Sequence, residues 1–169
     1  MVPVLVGVPL LVVTYHRYRL TPLVYRLIFV HGVILILGGH DTYARVPVGL
    51  WIQEIFDLAR NHYDRLGHFA QGFIPAMIAR EILLRSSPLK PGKWLVFIIL
   101  AICLALSAAY EIVEWLSAAV LGGGAEAFLG TQGDVWDTQW DMFLALLGAV
   151  SSLLLLAKTH TQELEAMEK

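Results

Sequence analysis

The sequence predicts an all-α fold, a polytopic bundle of about five transmembrane helices with one short amphipathic helix in the membrane interface. Three observations carry that prediction. The 169 residues are 57% hydrophobic and only 15% charged, unlike a water-soluble domain and opposite to a disordered chain. The apolar residues gather into uncharged runs near the length that crosses a bilayer core roughly 30 Å thick. Lys and Arg fall unevenly among the connecting segments, as the positive-inside rule expects. With 12 Lys+Arg against 14 Asp+Glu the net charge is −2, so no basic surface draws nucleic acid in bulk. The single cysteine, Cys103, lies in an apolar run, which excludes an intrachain disulfide and a thiolate metal cluster.

Residues 2–13 are apolar but too short to cross alone, and nothing there marks a removable signal peptide. They predict a first span over 2–16 that is the remainder of a longer helix, or one preceded by a further span. A second span over 23–39 carries Arg26 near one end and His31 inside. A third over 64–85 holds His68, Gln71, Arg80 and Glu81, with only 69–79 free of charge. The fourth, 94–121, is uncharged as far as Tyr110 and meets Glu111 and Glu114 near its far end. The fifth, 138–157, follows Asp141 with an uncharged run closed by Lys158. Together these make a single transmembrane domain over 1–158. The polar residues 159–169, with Glu163, Glu165 and Glu168, read as a polar cytoplasmic tail, the frayed end of a helix.

Between spans two and three, Gln53, Glu54, Asp57, Arg60 and Asn61 recur at helical spacing among apolar residues, and Pro47 suits a first turn. This pattern predicts an interfacial helix over 47–61. The other long connection, from Gly122-Gly123-Gly124 to Gly133, has the glycines of a flexible turn and no basic residue. Arg17, Arg19, Arg26, Arg80, Arg85, Lys90, Lys93, Lys158 and Lys169 fall at one set of loops and ends, and Arg45, Arg60 and Arg65 at the other. The first set is the cytoplasmic one. The C-terminus is then cytoplasmic, and 39–65 and 122–140 face outward.

That orientation gathers the ionisable residues at one face. Asp64 and His68 are four apart and share a helix face that Gln71 extends. Span four brings Ser107, Tyr110, Glu111 and Glu114 to the same end. Asp134, Asp137 and Asp141, spaced i, i+3 and i+7, form a stripe entering span five. Carboxylates so close must share protons, recruit Arg or Lys, or bind a cation. Arg60 and Arg65 are the nearby cations. A divalent metal ion held by Asp64, His68, Glu111, Glu114, Asp137 and Asp141 would resolve the repulsion, and the same residues are the candidate catalytic set.

A plainer reading competes residue by residue. Asp64, Asp134 and Asp137 lie near helix N-termini, where a carboxylate caps free N–H groups and gains about 0.3 to 1 kcal/mol from the dipole. Glu111 and Glu114 lie toward a C-terminal end, where the dipole opposes them and a partner is required. His31 reads as a hydrogen-bonded interhelical histidine, and His40 and Asp41 as outlying candidates for the cluster. Arg80 and Glu81, adjacent and so pointing apart, read as snorkelling or paired with neighbours. Trp51, Trp115, Trp136 and Trp140 at one surface and Trp94 at the other fit an aromatic belt.

The strings Asn61-His62-Tyr63-Asp64-Arg65-Leu66-Gly67-His68-Phe69, Tyr110-Glu111-Ile112-Val113-Glu114-Trp115 and Gly130-Thr131-Gln132-Gly133-Asp134-Val135-Trp136-Asp137-Thr138-Gln139-Trp140-Asp141-Met142 together resemble the YjdF family, small bacterial inner-membrane proteins carrying a domain of unknown function. The resemblance implies a helical membrane bundle, often with one more helix upstream, and supplies no reaction. A looser likeness is to VanZ-like membrane proteins, linked to glycopeptide resistance, whose order Asp64, His68, Phe69, Glu111, Asp137 and Asp141 follow. The chain departs from that pattern with Glu114 where Gln is more usual and Asp141 where Asn is.

Three functions compete on these residues. The first is a metal-dependent hydrolase in which a bound water attacks an ester or phosphoester of a lipid or envelope precursor, one carboxylate acting as base. The second is a proton- or cation-coupled transporter using the same carboxylates. The third is a non-catalytic assembly or scaffold protein. The partners expected in each case are the lipid bilayer and, for the first, a lipid or envelope-precursor ligand.

Overall fold

Thr21 shows how the chain enters its first long helix. Its backbone is extended (φ −62°, ψ 150°), its hydroxyl accepts from the Val24 N–H, and Pro22 supplies a first helical residue with no N–H to satisfy. The computed structural model describes residues 2–121 and 131–167, with nothing said of the Leu121 side chain. Among them are six α-helices and no strand: α1 (Val2–Thr14), α2 (Pro22–Asp41), α3 (Pro47–Ile55), α4 (Tyr63–Ser86), α5 (Lys93–Leu121) and α6 (Asp137–Met167). One 3-10 turn, Tyr43–Arg45, joins α2 to α3. Most of the glycine-rich connection lies outside the described residues.

By length and composition α2, α5 and α6 can each cross a membrane, whereas α1 is apolar but shorter. Their outward residues are those a lipid environment accepts: Leu154 is 80% exposed and Phe29 73%, which water would penalise and hydrocarbon does not. The 24 residues of α4 extend about 36 Å, enough to span, yet α4 carries far more polar residues. The reason is its position. It packs against α2, α5 and α6 and buries Asp64, His68, Arg80 and Glu81 toward those helices, so its charges face protein.

Helices α4 and α6 run parallel, with α5 antiparallel between them in sequence. Their backbones touch: a Cβ on Gly72 would overlap the carbonyl of Ala145, and one on Gly148 the carbonyl of Phe69 and the N–H of Phe73. Small residues permit such approach where no water drives helices together. Ala76, Leu95, Ile99, Cys103 and Ala149 form one buried cluster, and Leu20, Val24 and Met77 another. Cys103 is a buried free thiol whose S–H approaches the Gly72 carbonyl at 3.7 Å.

Two boundaries differ from the sequence expectation. The interfacial helix ends at Ile55 rather than at 61, because Asp57 adopts φ 50° and the chain then turns Asn61 into the protein. Residues 159–167 are the end of a helix as expected, yet they form well-packed last turns of α6 rather than a frayed end. They are held by burial of His160 and by Glu163, whose carboxylate accepts from the Leu23 N–H at 2.7 Å. Helix α1 buries no side chain and leaves an apolar groove of about 540 Å³ against α2 and α4.

Candidate functional site

The site begins with a buried hub, Asn61. Its Oδ1 accepts from the Tyr63 N–H at 2.9 Å, giving α4 a start, while Nδ2 donates to the carbonyls of Ala44 and Val46 at 3.2 Å each. Its backbone exchanges two hydrogen bonds with the Gln132 amide, at 3.0 and 2.9 Å. Gln132 and Gly133 take positive φ (48° and 84°) to make that turn, easily for glycine and at some cost for glutamine. The Asn61 amide also lies directly against Gly49 of α3, where no side chain would fit. One asparagine thus ties the 3-10 turn, α3, α4 and the connection before α6 together.

Within that frame the first turns of α4 and α6 meet the last turns of α5. Asp64, His68, Glu111, Asp137 and Asp141 are buried, and Glu114 is half-buried. His68 is central: Nε2 lies 3.7 Å from Asp64 Oδ1 and 3.8 Å from Asp141 Oδ2, and Nδ1 lies 3.7 Å from Glu111 Oε1. All three distances exceed a hydrogen bond. By geometry His68 Nδ1, Glu111 Oε1 and Asp141 Oδ1 are buried without a hydrogen-bond partner. Ligand atoms of Asp64, His68 and Asp141, and again of His68, Glu111 and Glu114, lie within 4.8 Å of one another. The Tyr110 ring stands edge-on to His68 at 6.1 Å.

Asp137 sits apart from this set. Arg60 donates to its Oδ1 at 2.6 Å, so its charge is already offset. Arg65 donates to Asp134 Oδ2 at 2.6 Å and lies over the Trp140 ring at 5.5 Å. Asp134 Oδ1 accepts from the Trp136 N–H at 2.9 Å, a local turn just before α6. At the rim, desolvation first and then Arg65 and Arg60 hold His62 below the usual imidazole range. Tyr43, stacked over Gly38 and Gly67, has its phenol pushed up by desolvation and then by the charges of Tyr110, Asp64 and Glu114.

Five of the six residues singled out from the sequence therefore share one unsaturated centre, with Asp137 alongside, held by Arg60. His40 and Asp41 do not join it; they pair with each other at 2.9 Å, with His40 74% exposed. Nor is His31 a hydrogen-bonded interhelical histidine, since its Nε2 is buried without a partner.

The far ends of α4 and α6 hold a second polar cluster. Arg80 Nη1 donates to His160 Nδ1 at 2.6 Å, and His160 Nε2 reaches Glu81 Oε2 at 3.0 Å. Because Arg only donates, Nδ1 accepts and Nε2–H donates, which fixes one neutral tautomer. Glu81 also accepts from the Thr21 hydroxyl and N–H and, at 2.7 Å, from Arg85. Of the two sequence readings for Arg80 and Glu81, pairing with neighbours holds, and both are buried rather than snorkelling. Sequence reasoning passed over His160, although it continues the face of Asp141, Ala145, Ala149 and Ser152 at helical spacing.

The architecture defines a helical membrane protein with a carboxylate–imidazole centre at one end of its core. The chain belongs to the family described as predicted membrane protein (DUF2238), whose model matches residues 1–162. It is 53% identical over 162 residues to the inner membrane protein YjdF of Escherichia coli (strain K12), covering 96% of this chain and 78% of that protein. No solved structure matches it. The likeness to VanZ-like proteins rests on residue order alone.

Proposed function

We propose that this protein is an inner-membrane metalloprotein that hydrolyses an ester or phosphoester of a lipid or envelope precursor at the outer membrane face. The observation that carries the reading is the set of buried, partnerless atoms on His68, Glu111 and Asp141, which converge with Asp64 and Glu114. Buried polar atoms are almost always satisfied, and repelling carboxylates around one imidazole are what a divalent cation relieves. Asp64, His68, Glu111 and Asp141 fit as ligands, oxygen with one nitrogen, with Glu114 beside them. Asp137 serves by fixing Arg60. A metal in this site supplies Lewis acidity and lowers the pKa of a water nucleophile. Half-buried Glu114, nearest the surface, is the candidate general base.

The outward orientation and cytoplasmic C-terminus are part of this proposal and follow from the Lys and Arg distribution. A proton- or cation-transport reading draws on Ser107 and Ser152, fully buried with unpartnered hydroxyls deeper in the core. Against it stands the backbone contact of α4 with α6 at Gly72 and Gly148, which leaves little room for a path.

The test is metal content by mass spectrometry on detergent-purified protein, beside a folded Glu111→Gln, Asp141→Asn double variant. Stoichiometric divalent metal in the wild type, lost in the variant, supports the reading and leads to lipid-hydrolysis screens. Absence from both after attempted reloading sinks it in favour of a transport or scaffold role.

A further inference from the structure

We propose that Arg60 and Arg65 form a clamp for the phosphoryl group of an anionic ligand, and that Asp134 occupies this clamp as a built-in, displaceable stand-in. The inference rests on the hydrolase reading in placing the bound phosphoryl beside the metal ligands, and it narrows the substrate class to phosphoesters.

Two guanidinium groups converge on one oxygen: Asp134 Oδ2 lies 2.6 Å from Arg65 Nη2 and 3.4 Å from Arg60 Nη1. The clamp arms are anchored separately from their occupant. Asp137 holds Arg60 at 2.6 Å, and the Trp140 ring backs Arg65 at 5.5 Å. Both anchors come from the first turn of α6, one turn or less from Asp141. Arg60 and Arg65 both lie close enough to act on the Asp64 carboxylate, so the clamp borders the carboxylate–imidazole centre.

Asp134 is the most exposed of the three, and besides the two Arg groups its carboxylate is held, among the described residues, only by the Trp136 N–H at 2.9 Å. Its side chain is 24% exposed against 9% for Arg60, and it belongs to the turn with positive φ at Gln132 and Gly133. Arg65 Nε is buried without a hydrogen-bond partner, a donor that the single carboxylate does not use. Planar guanidinium groups favour phosphate, whose several oxygens and greater charge satisfy more donors than one carboxylate oxygen. A phosphoryl group entering from the interface would displace Asp134 to solvent and leave Asp137 and Trp140 holding the arms.

The experiment titrates detergent-purified full-length protein with dihexanoyl phosphatidic acid and, separately, with inorganic phosphate, by calorimetry, with metal content measured on every sample. The expected result is binding to the wild type, about tenfold tighter binding to Asp134→Asn, and about tenfold weaker binding to Arg65→Lys, with metal content unchanged. A gain of affinity in Asp134→Asn cannot come from misfolding. Tighter binding of the lipid than of phosphate assigns the ligand to a lipid headgroup; equal binding assigns it to phosphate alone. If Asp134→Asn binds no tighter than the wild type while metal remains stoichiometric, the clamp is overturned and the metal reading stands. If metal is absent while the anion pattern holds, the hydrolase reading fails and the clamp survives.

Discussion

The two ends of the α4–α6 pair are built from the same residue types and finish in opposite states. At one end Arg80, Glu81, His160, Thr21 and Arg85 close a network with hydrogen bonds of 2.6 to 3.2 Å. No buried side-chain polar atom of those residues lacks a partner among the described residues. At the other end His68 lies 3.7 to 3.8 Å from three carboxylates, and three buried atoms have none. The closed network contributes to stability and fixes how α2, α4 and α6 meet. The open one costs stability, and it is where the proposed metal would bind. Burial of charge alone therefore says little about function; the balance of donors and acceptors distinguishes the two.

The largest expected effect breaks the closed end. Glu81→Ala leaves Arg85, His160 and Thr21 without their shared acceptor and is expected to cost about 3 to 5 kcal/mol, read as a fall in Tm in detergent. His160→Ala is expected to fall in the same direction by less. Between the ends, Gly148→Ala drives a methyl into the Phe69 carbonyl and should cost about 1 to 3 kcal/mol by the same measurement.

At the open end the sign reverses. Without added metal, Asp141→Asn removes one of several repelling carboxylates and is expected to leave Tm unchanged or raise it by an amount worth about 1 kcal/mol. A loss as large as that of Glu81→Ala would show the two ends to be alike and end the comparison. The smallest effect is at His62. Its folded pKa lies below the ordinary value of 6.5, so the unfolded chain takes up its proton first, and stability from this group is lost as pH falls below that value. His62→Gln should flatten the acid side of the Tm–pH profile slightly.

Much of this was legible in the residues alone. The uncharged run before Tyr110 and the run between Asp141 and Lys158 are long enough to be helices that lipid accepts. The i, i+4 spacing of Asp64 with His68 and the i, i+3 spacing of Glu111 with Glu114 put each pair on one helix face. Alternation of loops then carried these faces to the same end. The hub at Asn61 was not legible, since its partners lie at Ala44, Val46 and Gln132 and no local pattern connects them.

By itself, then, the sequence determined which segments are helical and the end of the bundle where Asp64, His68, Glu111, Glu114, Asp137 and Asp141 lie, because hydropathy and the 3.6-residue period are local properties. Only the tertiary structure decided that Arg60 holds Asp137, that His160 completes a network with Glu81, and that His68 remains unsatisfied among its carboxylates. Those outcomes depend on the rotation and depth of each helix against its neighbours. Rotation and depth are set by contacts such as Gly72 on Ala145 and Gly148 on Phe69, between residues far apart in the chain, where shifts of about 1 Å separate a hydrogen bond from an open pair.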